Sequence, residues 1–125
     1  EKIALAGLES LGVELAYGDV TDWDSLTAAL DGCGRVLHLA NLYSLWEPDP
    51  RVYWRINVEG TRRVAQASAE AGVELFLHVS TAAVYGRPAE VPFHEDSPPG
   101  PEAFSAYARS KRAGDLVVDE IAAAH

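Results

Sequence analysis

Apolar runs and helix punctuation alternate along the whole chain, with no internal repeat and no low-complexity tract. Ile3, Leu8 and Leu11 recur at helical spacing within Lys2–Leu11, and Gly12 stands where a helix commonly ends. Val13–Tyr17 reads as a short strand. After Gly18-Asp19-Val20, the pair Thr21-Asp22 caps a helix over Trp23–Leu30 that Gly32 closes. Arg35–Ala40 is almost continuously apolar, the pattern of a strand buried on both faces of a parallel sheet. Asp49 followed by Pro50 opens a long helix that runs to Ala71-Gly72, with an inner stripe of Tyr53, Asn57, Gly60, Val64 and Ala67. Leu75–Ser80 is a third buried strand. A connector from about Ala82 to Phe104 holds five prolines, a length at which loops tend to be lids or substrate loops, although a plain surface excursion fits as well. The last helix starts near Ser105 and sets Ala113, Leu116, Val117 and Ile121 on one face. The order αβαβαβα implies right-handed parallel crossovers in a doubly wound α/β sheet, where ligands sit outside the carboxyl ends of the strands.

Composition narrows the function classes. The 125 residues suffice for one domain, and 10 Lys and Arg against 19 Asp and Glu leave a net charge of −9, which repels nucleic acid and anionic lipid. No apolar run approaches the roughly 20 residues that a bilayer span requires. Cys33 is the single cysteine and has no internal disulfide partner, so a reducing cytoplasm is the expected compartment. The chain begins at Glu1 and contains no methionine, which reads as a piece or processed form of a longer product.

Two segments carry candidate chemistry. In Tyr107-Ala108-Arg109-Ser110-Lys111 the first and last residues share a helix face, and a neighbouring ammonium is expected to lower the phenol toward the working range of an acid–base group. Ser80-Thr81 delivers two hydroxyls to the carboxyl edge of the sheet. Alternation makes only one of them face a ligand, with Thr81 the better placed, while satisfaction of local backbone groups explains both equally well. His38, His78, His94 and His125 lack metal-ligand spacing, and His78 reads as a satisfied core histidine. Glu95-Asp96 reads as a solvated turn. Tyr43 and Trp46 suit substrate stacking, with aromatic core packing as the default.

These motifs, in this order, resemble the extended short-chain dehydrogenase/reductases, the NAD-dependent epimerase/dehydratase family. Gly18-Asp19-Val20-Thr21-Asp22 looks like the family's turn after its third strand, and Val36–Ala40 like its fourth strand. Asn57-Val58-Glu59-Gly60-Thr61 is similar to its Asn-Val-x-Gly-Thr helix, Val79–Gly86 to its Ser/Thr strand end, and Tyr107–Lys111 to its catalytic helix. The stretch Leu42–Pro50 looks most like the dihydroflavonol reductase and hopanoid-associated sugar epimerase branch. The resemblance implies a catalytic set of Tyr107, Lys111, Thr81 and Asn57. It implies NAD or NADP held by Asp19, Val20, Leu39, Ala40, Asn41, Asn57, Tyr107 and Lys111. Gly60 fits close backbone approach, which tight helix packing alone also explains.

The departures matter as much. Family dehydratases resemble Thr-Asp-Glu where this chain has Thr81-Ala82-Ala83, which argues against water elimination. Asn41 stands where the family more often has Ala or Gly. No glycine-rich phosphate loop occurs, and Gly32-Cys33-Gly34 is a decoy that precedes a strand. The resemblance therefore places residues 1–125 in the centre of a Rossmann-like cofactor domain, without its first two strands or its carboxyl-terminal substrate part. The expected activity is hydride transfer at a secondary alcohol or ketone of a sugar nucleotide or similar small molecule. A non-catalytic dinucleotide-binding regulatory module is the alternative, and retention of Tyr107 and Lys111 argues against it. The 125 residues alone are expected to be inactive and to hold a dinucleotide weakly.

Assembly is a further expectation. In the order 3-2-1-4-5-6 the chain's three strands take positions three, four and five, which leaves a gap in the sheet. Either Val13–Tyr17 pairs directly with Arg35–Ala40, or two copies close the gap as a homodimer. The dimer is the preferred expectation, because Trp23 and Trp54 would otherwise be left uncovered.

Overall fold

The structure is a computed structural model that describes residues 7–8, 10–44, 46–101 and 103–125. Most of the helix expected over Lys2–Leu11 lies outside those residues. Its end is visible: Gly7 and Leu8 are helical, the Leu8 carbonyl accepts from Leu11 and Val13, and Gly12 turns the chain at φ 74°.

The regular elements are α1 (Trp23–Leu30), β1 (Arg35–His38), a long helical stretch α2, β2 (Leu75–His78), a 3₁₀ turn (Ala82–Tyr85) and α3 (Ala106–Ala122). Within α2, α-helical Arg51–Tyr53 passes into a π-helical segment Trp54–Gly60 and then into α-helical Thr61–Glu70. The starts are fixed by the expected side chains. Asp22 accepts from the Asp24 N–H, Asp49 from the Arg51 N–H and Ser105 from the Ala108 N–H.

β1 and β2 pair in parallel, Arg35 opposite Leu75 through His38 opposite His78, which gives a β–α–β unit of a Rossmann-like fold. Three expectations need correction. Val13–Tyr17 stays extended without a ladder partner among the described residues, because its neighbour in the order 3-2-1-4-5-6 is a second strand rather than β1. The direct pairing with Arg35–Ala40 is therefore not formed. The strands are also not buried on both faces. Val36, His38, Phe76 and His78 turn toward α2 and α3, whereas Leu37 (58% exposed) and Leu77 (48%) face outward, since no described helix covers that side. Finally, Leu116 is 64% exposed. The buried stripe of α3 runs through Tyr107, Ser110, Lys111, Gly114, Val117 and Ile121, and Leu116 lies off it.

The core forms between α2 and α3, where Val58, Ala65, Val117 and Ile121 cluster with Phe76 and Ala113 packed against them. All five residues of the expected α2 stripe are buried. Two glycines set how near the elements come. A Cβ on Gly114 would stand 2.7 Å from the Asn57 carbonyl oxygen, and one on Gly60 would stand 2.7 Å from Val20 Cγ2. No described helix is long and apolar enough to cross a membrane.

Candidate active site

The carboxyl end of β2 is stitched to α3 residue by residue. Lys111, 2% exposed, donates from Nζ to the Val79 carbonyl at 2.8 Å. One turn further along α3, Asp115 accepts from the Ser80 hydroxyl at 2.6 Å and pairs with His78 Nε2 at 3.1 Å. Thr81, next along, points the other way. Its Oγ1 accepts from the Ala83 N–H at 3.3 Å, and its hydroxyl lies beside the Tyr107 phenol. Ser80 and Thr81 thus diverge as strand alternation requires. An open cleft of about 480 Å³ is bounded by Ser80, Thr81, Tyr85, Phe93 and Asp115.

The electrostatics depart from expectation. Burial pushes the Tyr107 phenol above its ordinary value; Tyr43 and Asp115 add to this, and the hydrogen bond with Thr81 opposes it. The expected lowering by Lys111 does not arise, because that ammonium is committed to a backbone carbonyl and is itself pushed down by burial, against the pull of Asp115. At neutral pH the phenol therefore keeps its proton and is a donor.

Asn57, which the resemblance makes a catalytic and cofactor residue, bonds backbone and a neighbouring hydroxyl here. In the π-helical segment its amide is fully buried: Oδ1 accepts from Leu42 N–H at 2.7 Å, while Nδ2 donates to the Leu42 carbonyl at 3.2 Å and to Ser110 Oγ at 2.9 Å. Ser110 in turn donates to the Tyr107 carbonyl. With every amide contact spent internally, Asn57 clamps the segment after β1 to the helix that carries Tyr107. Tyr53 adds a second tie, its hydroxyl donating to the Ser44 carbonyl at 3.0 Å. These ties leave Tyr43, 76% exposed, edge-on to Tyr107 with ring centroids 5.3 Å apart. Trp46 is also exposed, so core packing explains neither ring.

The carboxyl end of β1 is open. Leu39 and Ala40 are exposed, and Asn41 donates from Nδ2 to the Leu39 carbonyl while its buried Oδ1 has no partner among the described residues. Asp19 is exposed at the turn before α1; its Oδ1 accepts from both the Thr21 N–H and hydroxyl, and these bonds hold its carboxyl below the usual range. Val20 rests on Gly60. The orphaned acceptor beside exposed backbone at β1 and, at the separate turn before α1, the exposed Asp19 carboxylate are groups of the kind that bond the polar atoms of a dinucleotide. His38 is buried with Nε2 3.0 Å from Thr61 Oγ1 and stacks on His78 at 5.4 Å between centroids. Among the described residues no group of three His, Cys, Asp or Glu side chains suits a metal ion.

Sequence reasoning missed Ser110, Thr61 and Asp115. Asp115 carried a signal, since Tyr107, Lys111 and Asp115 continue one i, i+4 series, and Thr61 closes the Asn57–Thr61 motif, whereas Ser110 carried none of its own. His78, expected as a satisfied core residue, pairs through Nε2 with Asp115 but has Nδ1 buried without a partner among the described residues.

Residues 2–125 match the profile of the NAD dependent epimerase/dehydratase family. The UDP-glucose 4-epimerase of Streptomyces lividans is 36% identical over 119 residues, covering 91% of this chain and 36% of its own length. A putative dihydroflavonol 4-reductase of Synechocystis sp. is 35% identical over 79 residues, 63% of this chain and 23% of that protein. The Bordetella bronchiseptica enzyme WbmG, solved in complex with NAD and UDP, superposes with a TM-score of 0.73 at 39% identity, covering 82% of this chain and 33% of that one. The chain thus spans about a quarter to a third of the length of such relatives.

Proposed function

This chain belongs to the NAD dependent epimerase/dehydratase family, and we propose that the full-length protein carrying it oxidises or reduces a secondary alcohol or ketone, with a sugar nucleotide as the substrate class. The observation that carries this reading is the convergence of Tyr107 and Thr81 at the carboxyl end of β2, on two elements locked together by Lys111 and Asp115. The UDP-glucose 4-epimerases and the UDP complex of WbmG support the substrate class, and NAD in the solved relatives supports NAD over NADP.

A nicotinamide dinucleotide, when bound, supplies the hydride acceptor and donor. Asp19 and Val20 would hold its adenine end, and Leu39, Ala40 and Asn41 would line it at β1. Lys111 has three N–H donors and spends one on Val79, which leaves two for a ribose. Tyr107 holds a proton at its phenol oxygen and delivers it to a substrate oxygen during reduction; in the oxidising direction it must first lose that proton. The Thr81 hydroxyl orients the same substrate oxygen. Ala82 and Ala83 offer no acid or base for removing water, so epimerisation or simple redox chemistry is preferred to dehydration.

Tyr107→Phe in the full-length protein tests the assignment. Turnover with NAD and UDP-sugars should fall by on the order of 10²–10⁴-fold while NAD affinity, read by cofactor fluorescence, stays nearly unchanged. Lys111→Ala should damage both. Near-parental turnover in Tyr107→Phe would sink the proposal.

A further inference from the structure

Asp115 lies on α3 one turn beyond Lys111, and its two carboxylate oxygens are divided between two residues of one strand end. Oδ2 takes the Ser80 hydroxyl at 2.6 Å and Oδ1 takes His78 Nε2 at 3.1 Å. Between those residues, the Val79 carbonyl takes Lys111 Nζ. Three consecutive residues are therefore anchored to two adjacent turns of α3, and Thr81 follows at once. A strand end held at 78, 79 and 80 has little freedom left at 81. The carboxylate also borders the cleft that Thr81 lines, and its side chain remains 28% exposed.

We infer that Asp115 is a positioning residue for the proposed reaction: by holding Ser80 and His78 against α3, it fixes the Thr81 hydroxyl at the Tyr107 phenol. This inference rests on the proposed function. It differs from mere stabilisation in one consequence. The Asp115 charge acts on Lys111, where it favours the ammonium, and on Tyr107, where it favours the protonated phenol. Among the described residues, the other polar and titratable groups around this cluster are His78 and Ser80 on the β2 end, His38 stacked on His78 from β1, Thr81 beside the phenol, Tyr43 facing Tyr107 from the segment after β1, and His94 and Glu95, which line the cleft with Asp115.

Asp115→Asn removes the charge and keeps the shape. In the full-length protein it should lower kcat about tenfold with the substrate KM within about twofold, because orientation of the reacting groups is lost and binding is not. With one of the groups that hold the phenol up removed, the basic limb of the pH profile for reduction should move to lower pH. Asp115→Glu should restore part of the rate, and Ser80→Ala, which removes one anchor without touching the charge, should cost about threefold in kcat and leave the limb in place. A purely structural role predicts a lower melting temperature with an unmoved pH limb and unchanged kcat per folded site, and that result overturns the inference. If Asp115→Asn fails to fold, Ser80→Ala decides, and unchanged kcat there overturns it. Inactive Tyr107→Phe together with unaffected Asp115→Asn removes this inference alone, whereas active Tyr107→Phe removes the proposed function and this inference with it.

Discussion

The two strands of the sheet run side by side and end in opposite ways. After β2, three polar groups of residues 78–80 are spent on α3, His78 Nε2 and the Ser80 hydroxyl on Asp115 and the Val79 carbonyl on Lys111, and of their side-chain groups only His78 Nδ1 is left buried without a partner among the described residues. After β1, Leu39 and Ala40 are exposed and the Asn41 Oδ1 is buried without a partner among the described residues. A spent end is a rigid support and an unspent end is an invitation, because a buried acceptor without a partner costs about 1–3 kcal/mol that a ligand N–H or O–H can recover. In the proposed function, positioning of the acid–base pair belongs to the first end, and dinucleotide contact to the second.

The comparison is sharpened most by Thr81. Thr81→Ala should lower turnover by on the order of 10²-fold, Thr81→Ser should retain most of it, and both should melt within about 1 kcal/mol of the parent, since among the described residues the fold draws on this hydroxyl mainly through the 3.3 Å cap bond from the Ala83 N–H. Equal losses for Ser80→Ala and Thr81→Ala would mean that the two hydroxyls share one job. A smaller effect is expected at β1. Burial, aided by His78 and Lys111, pushes His38 down from its ordinary 6.5 to about 4. The unfolded chain then takes up the proton first, so stability is whole above pH 6.5 and drains away as pH falls toward 4, by about 2 kcal/mol at pH 4.5. Denaturant titrations of the parent and His38→Gln across this window should show the extra slope in the parent only. Parallel slopes would show that His38 is not held neutral by the fold.

What was legible in the sequence is what is local. Asp22, Asp49 and Ser105 announce helix starts because an N-cap needs only its own next two or three residues. Tyr107 and Lys111 announce a shared helix face for the same reason. The strand expected at Val13–Tyr17 failed because a strand exists only with a partner, and apolar alternation does not say whether the partner is there. Leu116 failed more subtly: its spacing fits the stripe, yet the close approach at Gly114 rotates the contact toward Ser110 and Lys111. The charge state of Tyr107 was illegible because spacing puts Lys111 nearby without saying that its ammonium turns to Val79. Asn57 was correctly placed on the inner stripe, but nothing local signals the π-helical turn or the distant backbone its amide binds.

Leu37, Leu39, Leu75 and Leu77, exposed on one side of the sheet, also make the 125-residue chain a colloid governed by ionic strength. Oily stripes attract at contact, while copies that each carry a charge of −9 repel across a screening length of about 30 Å at 0.01 M salt and about 10 Å at 0.1 M. As salt shortens that reach, attraction takes over, and we propose that it leads to paired copies rather than to unlimited growth, because covering the stripe once exhausts it. Light scattering of the 125-residue chain should therefore pass from one copy to two between those salt concentrations. A mass fixed at one copy throughout, or one that climbs without limit, would contradict the pairing.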